Sequence, residues 1–535
     1  MRLRYSGLPR NSAFLSSLGS ILLILIGCGG GASYAPTLSS IAVTPGNASI
    51  AQGQSQQFKA TGTYSDQSTR DLTATAMWSS SAPGVVTISS GGLASSVGVP
   101  IGATTIGATS GAVSGSTPFT VAQTIKHVVI IFQENRTPDN LFHGLPGADI
   151  ASSGINSAGQ IIPLTVVPLA NNYDLSHAHS AFVNMYDGGK MDGADKIAVS
   201  CAKNATGCPP ANPQFKYIDP SEVVPYFQLA EQFVFGDRMF QTNQGPSFPA
   251  HQFIISGTSA PTATSNLFAA ENPVVPPTAP PTGEDAGCNA PIGTLVNMID
   301  PSGAESSKMY PCFEHPTLTD SLDAQSVVWR YYAPSAAGLS IWVGPDAIQH
   351  IRSGGDWNKV ILNQTQVLTD IANGRLAQVS WVIPNGQASD HANSNDGSGP
   401  SWVASIVNAL GSSPYWSSTA IFITWDDWGG WYDHVAPPSI YDSYEYGFRV
   451  PLIVVSPFAK QKYISHVTHD FGSILKFIEE DFNLPSLGYA DARADDLSDC
   501  FTFTQTPISF QPVPAKLTAK HFLNDRRPSA PPDDD

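Results

Sequence analysis

Charged residues are scarce in this 535-residue chain, and positive charge is the scarcer sign. Asp, Glu, Lys and Arg together make up 13% of the sequence, and 43 acidic against 26 basic residues give a formal net charge of -17. The chain has no long run of Lys and Arg, and a surface of net negative charge repels nucleic acid phosphates. We therefore expect no nucleic acid partner.

Long apolar runs are equally scarce, and outside the N-terminal segment none is long enough to cross a bilayer. Residues 13–26 are apolar and follow three arginines, which is typical of a signal peptide. The segment ends in Leu25-Ile26-Gly27-Cys28, which resembles a bacterial lipoprotein lipobox. This resemblance implies a signal peptide over residues 1–27, a lipid on the Cys28 sulfur and a tether over residues 28–36.

The alternative interpretation is an ordinary secretory signal followed by a chance cysteine. Both interpretations predict export. We therefore expect a protein anchored to the membrane through Cys28 in the cell envelope, on its periplasmic or outer side, or else a secreted protein.

The chain has few cysteines, and export decides how they are interpreted. Apart from Cys28 there are five, an odd number, in a compartment where disulfides persist. The most local pairing joins Cys201 with Cys208, and the next joins Cys288 with Cys312, which leaves Cys500 free. The spacing does not fix the pairing, and none of it is typical of a zinc site.

Short strand-like runs fill residues 37–122, which are rich in Thr, Val, Ser and Gly and punctuated by turn residues. This pattern predicts a small β-sandwich. The text from Val43-Thr44-Pro45 to "GQSQQFKATGTYSD", with Trp78 further on, resembles a bacterial immunoglobulin-like domain of the Big-2 type. The resemblance implies a spacer or an adhesive module, and without cysteines its core must hold without a disulfide.

Residues 124–511 have an α/β pattern. The continuous apolar runs "HVVIIF", "VVWRYY", "QVSWVI", "AIFIT" and "PLIVVS" predict strands buried on both faces of a parallel or mixed sheet flanked by helices. Residues 512–535 are rich in proline and polar residues and predict a flexible tail.

Acidic and amide side chains follow two of these runs. Glu134 and Asn135 follow the first strand, and Asp426 and Asp427 follow "AIFITW". Ligands of α/β sheets collect beyond the carboxyl ends of strands, and adjacent acids at such a place are most easily explained by a cation between them. Oxygen ligands suit Mg²⁺, Ca²⁺ or Mn²⁺, and carboxylates combined with histidine also admit Zn²⁺. The alternative is solvated loop acids and helix caps.

A hydroxyl and a histidine complete the candidates. Ser247 precedes "FPAHQFIIS", which can form a short helix closed by Gly257. At a helix start the dipole favours an alkoxide or a phosphate, although Ser247 could equally serve only as a cap. His391 follows Asp390 after the strand "QVSWVI" and could donate a proton to a leaving group.

Together the segments "KHVVIIFQENRTPDNLFHG", "GGKMDGAD", "VPYFQLAEQFVFGDRMF", "GPSFPAHQF", "FITWDDWGGWYDHV", "GFRVPLIVVSPFAK" and "FGSILKFIEEDF" resemble the bacterial phosphoesterase family. That family contains non-haemolytic phospholipases C and an acid phosphatase branch, and its fold is of the alkaline phosphatase superfamily. The resemblance implies a nucleophile at Ser247, a phosphate pocket lined by His391 and His434, and metal ligands at Glu134, Asn135, Asp426 and Asp427.

The chain departs from the family pattern in places that bear on its substrate. Pro249-Ala250-His251 stands where many phospholipase members carry Pro-Asn-Arg, which weakens the transfer of lipid specificity. Asp427 replaces a frequent Glu, which favours the phosphatase branch.

We therefore expect a metal-dependent phosphomonoesterase in which Arg136, Lys190 and Asp390 help to bind the phosphate ester. The alternatives are a phospholipase C that releases phosphorylated head groups, or an inactive adhesive surface protein.

Overall fold

A computed structural model describes residues 34–279, 285–334, 340–438 and 441–530. The expected signal peptide, the lipid-bearing Cys28 and most of the tether lie outside these residues. Within the described ranges, no helix has the length and apolar character needed to cross a membrane.

The N-terminal region is all β. Three small sheets, with the strand orders β1-β4-β5, β2-β10-β9-β6 and β3-β8-β7, surround one core in which Phe58 and Phe119 pack edge to face at 5.2 Å. This confirms the expected β-sandwich. Its strands are β1 (Leu38–Thr44), β2 (Ala48–Ala51), β3 (Ser55–Gln57), β4 (Lys59–Tyr64), β5 (Thr69–Asp71), β6 (Met77–Ser80), β7 (Val86–Ile88), β8 (Leu93–Ser96), β9 (Gly102–Ser110) and β10 (Val113–Ala122).

The larger region that follows contains the remaining strands. In chain order they are β11 (His127–Gln133), β12 (Ser153–Ile155), β13 (Ile161–Pro163), β14 (Thr165–Val167), β15 (Tyr173–Leu175), β16 (Val199–Cys201), β17 (Lys216–Ile218), β18 (Val234–Gly236), β19 (Met239–Phe240), β20 (Phe268–Ala269), β21 (Val296–Ile299), β22 (Ser307–Met309), β23 (Trp329–Tyr332), β24 (Val360–Ile361), β25 (Val379–Val382), β26 (Thr419–Trp425), β27 (Leu452–Val455), β28 (Tyr463–Ser465) and β29 (His469–Asp470).

Helices alternate with these strands. They are α1 (Pro138–Leu141), α2 (His179–Tyr186), α3 (Val224–Gln232), α4 (Ser247–Ser256), α5 (Leu318–Ala324), α6 (Gln349–Ser353), α7 (Gln366–Ala372), α8 (Gly399–Gly411), α9 (Phe471–Asp481), α10 (Ala490–Arg493) and α11 (Ala519–Asn524). The helix expected after Ser247 is therefore present, and Gly257 closes it with a φ of 70°.

An eight-stranded sheet organises the larger region, with the order β24-β23-β25-β11-β26-β27-β18-β28. Within this sheet β27 pairs antiparallel with both of its neighbours, and every other neighbouring pair is parallel. The central strand β11 is buried from its second residue onward, as its continuous apolar run predicts. The expected mixed sheet flanked by helices is confirmed, and β11 lies at its middle between β25 and β26.

The two regions meet at a buried carboxylate. Gln52 of the N-terminal region donates to Asp481 Oδ1 at 3.0 Å, and Gln123 donates to Asp481 Oδ2 at 3.1 Å. Val99 also belongs to the core of the larger region. The β-sandwich is therefore packed against the end of α9.

Residues 512–530 do not form the expected flexible tail. They carry α11, in which Phe522 is 7% exposed and packs 5.3 Å from Trp402 between ring centres. Val513 is also buried, and the Ser529 hydroxyl accepts a hydrogen bond from Gly386 N at 2.9 Å. The prediction was wrong because a few apolar anchors hold a segment whose overall composition is polar and proline-rich.

Two disulfides join Cys201 to Cys208 and Cys288 to Cys312, and Cys500 is free and buried. The pairs are the two most local ones that the spacing allowed. Both lie in the larger region, so the β-sandwich core holds without a disulfide, as expected.

Candidate active site

The ends of two neighbouring strands bring the first two acids together. β11 and β26 are parallel, and Gln133 lies opposite Trp425 in their register. The next residues, Glu134 and Asp426, therefore leave the sheet side by side. Asp426 N donates to Gln133 O at 3.0 Å, so the two chains are still joined at this level.

Further backbone hydrogen bonds hold the loops that follow the strands. Glu134 N donates to Ser389 O at 2.8 Å, and Arg136 N donates to Asp427 O at 3.0 Å. Gly429, with a φ of 64°, lies so close that a Cβ would be 2.5 Å from Asn135 O. A glycine is needed at this point, and the loops after β11, β25 and β26 form one packed unit.

The carboxylates of Glu134 and Asp426 are both fully buried. Burial, and then the negative charge of Glu134, raise the pKa of Asp426 well above its usual range. Two such groups are costly to ionise together unless a positive charge lies between them. Their ligand atoms, together with one of His251, all lie within 4.8 Å of one another, so this donor set fits a divalent cation.

His251 is a member of this cluster that sequence reasoning missed. It lies on α4, four positions after Ser247, and its Nε2 is 3.3 Å from Glu134 Oε1 and 3.8 Å from Asp426 Oδ2. Burial lowers the pKa of His251 to about 4, against the opposing charge of Asp426. The only signal in the sequence was its spacing, which places it one helical turn from the candidate nucleophile.

Ser247 is the first residue of α4, but it does not cap the helix. The N-cap position belongs to Pro246, and no side chain caps the helix. The Ser247 hydroxyl instead donates to Asp427 Oδ2 at 3.5 Å. Of the two roles that the sequence left open, the structure therefore disfavours capping and places the hydroxyl against an acid of the predicted site.

Asn135 connects the acids to a second missed residue, His177. Asn135 N donates to Asp426 Oδ1 at 3.0 Å, and its Nδ2 lies 2.9 Å from His177 Nε2. His177 Nδ1 donates to Leu175 O at 2.9 Å, and Nε2 is 3.9 Å from Asp427 Oδ2. No motif pointed to His177, which stands just before α2 and reaches the site only through the tertiary fold.

His391 lies at the margin of this group. It is buried, its ring centre is 5.9 Å from that of His177, and its Nδ1 donates to Ala392 O at 2.7 Å. Its Nε2 has no hydrogen-bond partner among the residues that the structure describes. The nitrogen is thus available to a ligand.

His434, by contrast, lies in a separate ion-pair cluster. Its Nδ1 is 2.8 Å from Asp139 Oδ2, and its Nε2 is 3.1 Å from Asp149 Oδ1. Burial lowers the pKa of His434, but the hydrogen bond and charge of Asp139 outweigh it, so the net shift is upward. Arg449, which pairs with Asp433 at 2.7 Å, completes the cluster. The contacts found for His434 join it to none of the predicted metal ligands.

Arg136 and Asp390 lie in the wall behind the site. Arg136 is fully buried, donates to Asp390 O at 2.5 Å and packs 5.0 Å from the Trp431 ring. The Asp390 carboxylate accepts hydrogen bonds from Tyr226 at 2.7 Å and from Trp425 at 3.2 Å, and burial raises its pKa to about 6. These contacts hold the loops in place.

Lys190 is elsewhere on the surface. It is exposed and pairs with Asp187 at 2.9 Å, three residues earlier in the chain. The structure thus brings Glu134, Asn135, Ser247, Asp426 and Asp427 together, with His391 beside them. Lys190 and His434 are not joined to this group by any contact found among the described residues.

Two sequence profiles of known families match this chain. A sequence profile described as "Phosphoesterase family" matches residues 125–485, and one described as "Bacterial Ig-like domain (group 2)" matches residues 38–121. The first match includes the strand ends and α4, and the second corresponds to the three small N-terminal sheets.

Two similar proteins are non-hemolytic phospholipases C. The one from Burkholderia pseudomallei is 25% identical over 453 residues, covering 73% of this chain and 61% of the relative. The one from Pseudomonas aeruginosa is 23% identical over 445 residues, covering 71% and 57%. The chain thus spans less than two thirds of the length of either relative. A solved structure of a protein in the alkaline phosphatase superfamily from Vibrio parahaemolyticus covers 69% of this chain and 70% of that chain, at 9% identity and a TM-score of 0.32.

Proposed function

Because the chain belongs to the phosphoesterase family, we propose that it hydrolyses phosphoric esters through Ser247, with phosphomonoesters of small alcohols as the preferred substrates. The observation that carries this proposal is the Ser247 hydroxyl, which donates to Asp427 Oδ2 beside the buried acids Glu134 and Asp426. A hydroxyl held against a carboxylate at a helix start is suited to attack on phosphorus.

In the first step the Ser247 Oγ–P bond forms while the bond from phosphorus to the substrate alcohol breaks. Asp427 Oδ2, which lies 3.5 Å from this hydroxyl, takes its proton, and Asp426 lies on the same hydroxyl as a second acceptor. His391, protonated at Nε2, gives its proton to the departing alcohol oxygen. The product of this step is a phosphoserine at the start of α4, where the helix dipole favours its negative charge.

In the second step water attacks the phosphoserine and the Oγ–P bond breaks. His391 Nε2, now neutral, accepts the proton of the water, and Asp427 returns its proton to Ser247 Oγ. His177 Nε2 lies 3.9 Å from Asp427 Oδ2 and 2.9 Å from Asn135 Nδ2, so this one nitrogen keeps both groups in position during both steps.

Glu134, Asn135, Asp426 and Asp427 would hold a divalent cation, of which Mg²⁺, Ca²⁺, Mn²⁺ and Zn²⁺ are the candidates. Their fit to a cation rests on two buried acids and on Asn135 Oδ1, which has no hydrogen-bond partner among the described residues. When bound, such an ion supplies charge neutralisation for the phosphate oxygens and acidifies the nucleophile.

The predicted substrate-binding residues divide into two kinds. Arg136 and Asp390 are buried in the wall, so we propose that they position the loop that carries His391. Lys190 is exposed, and the protein as a whole carries a net negative charge that repels anions. We propose that Lys190 offsets this repulsion and attracts the anionic substrate from a distance.

A second candidate function is a phospholipase C activity that releases phosphorylated head groups. The specific observation in its favour is that both relatives described above are named phospholipases C. Against it, Ser247, Glu134 and Asp426 are all fully buried. A phosphodiester carries two alcohol substituents and needs more room around phosphorus than a monoester does.

We also propose that the protein is exported and anchored through Cys28. Two disulfides among the described residues support export, because such bonds persist in oxidising compartments.

The test is an assay of the purified protein on p-nitrophenyl phosphate and on phosphatidylcholine vesicles. We expect monoester hydrolysis that falls more than about 1,000-fold in Ser247→Ala. Ser256→Ala is the matched control, because Ser256 is a buried serine of the same helix whose hydroxyl donates only to backbone oxygens. Retained activity in Ser247→Ala contradicts the proposed nucleophile, and hydrolysis of the vesicles alone identifies the phospholipase.

A further inference from the structure

We propose that His251 is a nitrogen ligand of the cation held by Glu134 and Asp426, and that this site selects a transition-metal ion such as Zn²⁺ over Mg²⁺ or Ca²⁺. The inference rests on the proposed function only in placing a cation at this pair of acids. It adds His251 to the proposed ligands Glu134, Asn135, Asp426 and Asp427, which offer only oxygen atoms.

The hydrogen bonds of Tyr331 fix the state of the His251 ring. The Tyr331 hydroxyl donates its single proton to Trp342 O at 2.9 Å. His251 Nδ1 lies 3.3 Å from the same hydroxyl oxygen, which can therefore only accept. Nδ1 must then carry the hydrogen of a neutral ring, and Nε2 must carry the lone pair.

That lone pair faces the two acids. Nε2 is 3.3 Å from Glu134 Oε1 and 3.8 Å from Asp426 Oδ2, and it makes no hydrogen bond to any described residue. All three side chains are fully buried. Electron pairs of a nitrogen and two carboxyl groups that converge in a buried place repel one another, and a cation among them turns the repulsion into coordination.

The spacing of the three donors agrees with ligands of one ion. Zinc binds His nitrogen and carboxylate oxygen at about 2.0–2.2 Å, which in a tetrahedral shell puts neighbouring ligand atoms about 3.4 Å apart. The measured separations, 3.3 and 3.8 Å, lie on either side of this value. Mg²⁺ and Ca²⁺ prefer shells made only of oxygen, whereas imidazole suits the later transition metals.

The ring is held rigidly for this role. His251 lies in the middle of α4, and its ring packs edge to face on Phe132 of β11 with the ring centres 5.5 Å apart. Tyr331, on β23, is itself fully buried. A partner that fixes the tautomer of a metal-bound histidine is the usual outer support of such ligands, so Tyr331 is a positioning residue.

The test measures metal binding directly. The full chain is stripped with a chelator, its dissociation constants for Zn²⁺ and Mg²⁺ are measured by calorimetry, and nitrogen coordination is read by pulsed electron paramagnetic resonance with bound Mn²⁺. We expect a nitrogen signal in the unmutated protein and tighter binding of Zn²⁺ than of Mg²⁺. Since the wild-type protein alone gives both results, a misfolded variant does not leave the proposal untested.

Variants then locate the nitrogen. We expect His251→Gln to weaken Zn²⁺ binding by about 100-fold or more and to remove the signal, and Tyr331→Phe to weaken it by about 10-fold with the signal kept. His315→Gln, at a buried histidine outside the cluster, should change neither. An unchanged Zn²⁺ affinity in His251→Gln, or a wild type without a nitrogen signal, overturns the proposal.

The result is separable from the proposed function. Phosphatase activity with Mg²⁺ and no nitrogen signal would refute the histidine ligand and leave the enzyme. Zinc binding that depends on His251, found without ester hydrolysis, would support the histidine ligand and refute the proposed function.

Discussion

The hydroxyl oxygen of Ser247 lies 3.5 Å from Asp427 Oδ2, although 180 positions of sequence separate the two residues. The serine is fixed because it begins α4, directly after Pro246. The aspartate is fixed because its other oxygen, Oδ1, accepts a hydrogen bond from Gly429 N at 2.7 Å. The backbone thus holds Oδ1 of this carboxylate, and Oδ2 faces the hydroxyl.

This division of the carboxylate predicts the effect of Asp427→Asn. The amide cannot take the Ser247 proton, so we expect kcat on p-nitrophenyl phosphate to fall about 100-fold or more. The fold should be kept, because an amide oxygen can still accept from Gly429. Asp219→Asn, at an aspartate in a turn before α3, is the control. A kcat within about threefold of wild type, with metal content unchanged, would remove Asp427 from the reaction.

The second prediction concerns His434, for which the family resemblance implied a place in the phosphate pocket. Its contacts with Asp139 and Asp149 favour a structural role. We expect His434→Gln to lower the free energy of unfolding in urea by about 1–3 kcal/mol, since hydrogen bonds to charged groups are lost. The kcat should stay within about threefold of wild type. A 100-fold loss of kcat without loss of stability would instead support the pocket.

The strands and the polar residues at their ends could be predicted because both follow from the burial of a strand on both faces of the sheet. A strand buried on both faces must be apolar throughout, so β11 and β26 stand out as continuous runs. Polar residues that follow such a run at once must lie at the edge of the sheet. Parallel pairing in the register of Gln133 with Trp425 then brings Glu134 and Asp426 together.

The histidines of the site could not be predicted in the same way. His177 stands in no motif, and His251 lies in one where many relatives carry Arg, so neither position indicated a histidine of the site. Their place depends on which loop packs over which strand end, and the hydrophobic pattern does not encode that choice. For His434, the family resemblance implied a place in the phosphate pocket, whereas its side chain contacts Asp139 and Asp149 in the structure.

The third prediction tests the packed C-terminal segment. Phe522 is 7% exposed and lies against Trp402. We therefore expect Phe522→Ala to lower the free energy of unfolding of the larger region by about 3–5 kcal/mol. Lys520→Ala, at an exposed position of the same helix, should change it by less than about 0.5 kcal/mol. Equal stabilities for the two variants, measured by urea unfolding, would mean that α11 does not contribute to the core.

The fourth prediction addresses the expected anchor. If Cys28 receives a lipid, bacteria expressing the full chain with labelled palmitate should yield a labelled protein in the membrane fraction. Cys28→Ala should lose the label and leave the membrane, since the lipid on Cys28 is the anchor that the lipobox interpretation predicts. Cys500→Ala, which removes the free buried cysteine, should keep both properties. Membrane association of unlabelled Cys28→Ala would contradict the lipobox interpretation.

The last prediction follows from an ion pair on α6. A hydrogen bond from His350 to Asp320, helped by Glu314 and opposed by partial burial, raises the pKa of His350 to about 9. A histidine whose pKa is higher in the folded than in the unfolded state binds its proton more tightly when folded. Its stabilising contribution is therefore complete below about pH 6.5, the unfolded value, and is lost as the pH rises through about 9.

The amount is small because His350 and its partners are partly exposed and screened by solvent, and we expect about 1 kcal/mol. The measurement is the free energy of unfolding of wild type minus that of His350→Gln at several pH values. This difference should be largest at pH 6 and should shrink towards zero by pH 10. His521→Gln, at an exposed histidine of α11, serves as the control. A difference that stays constant or grows with pH would show that His350 is not held in its charged form.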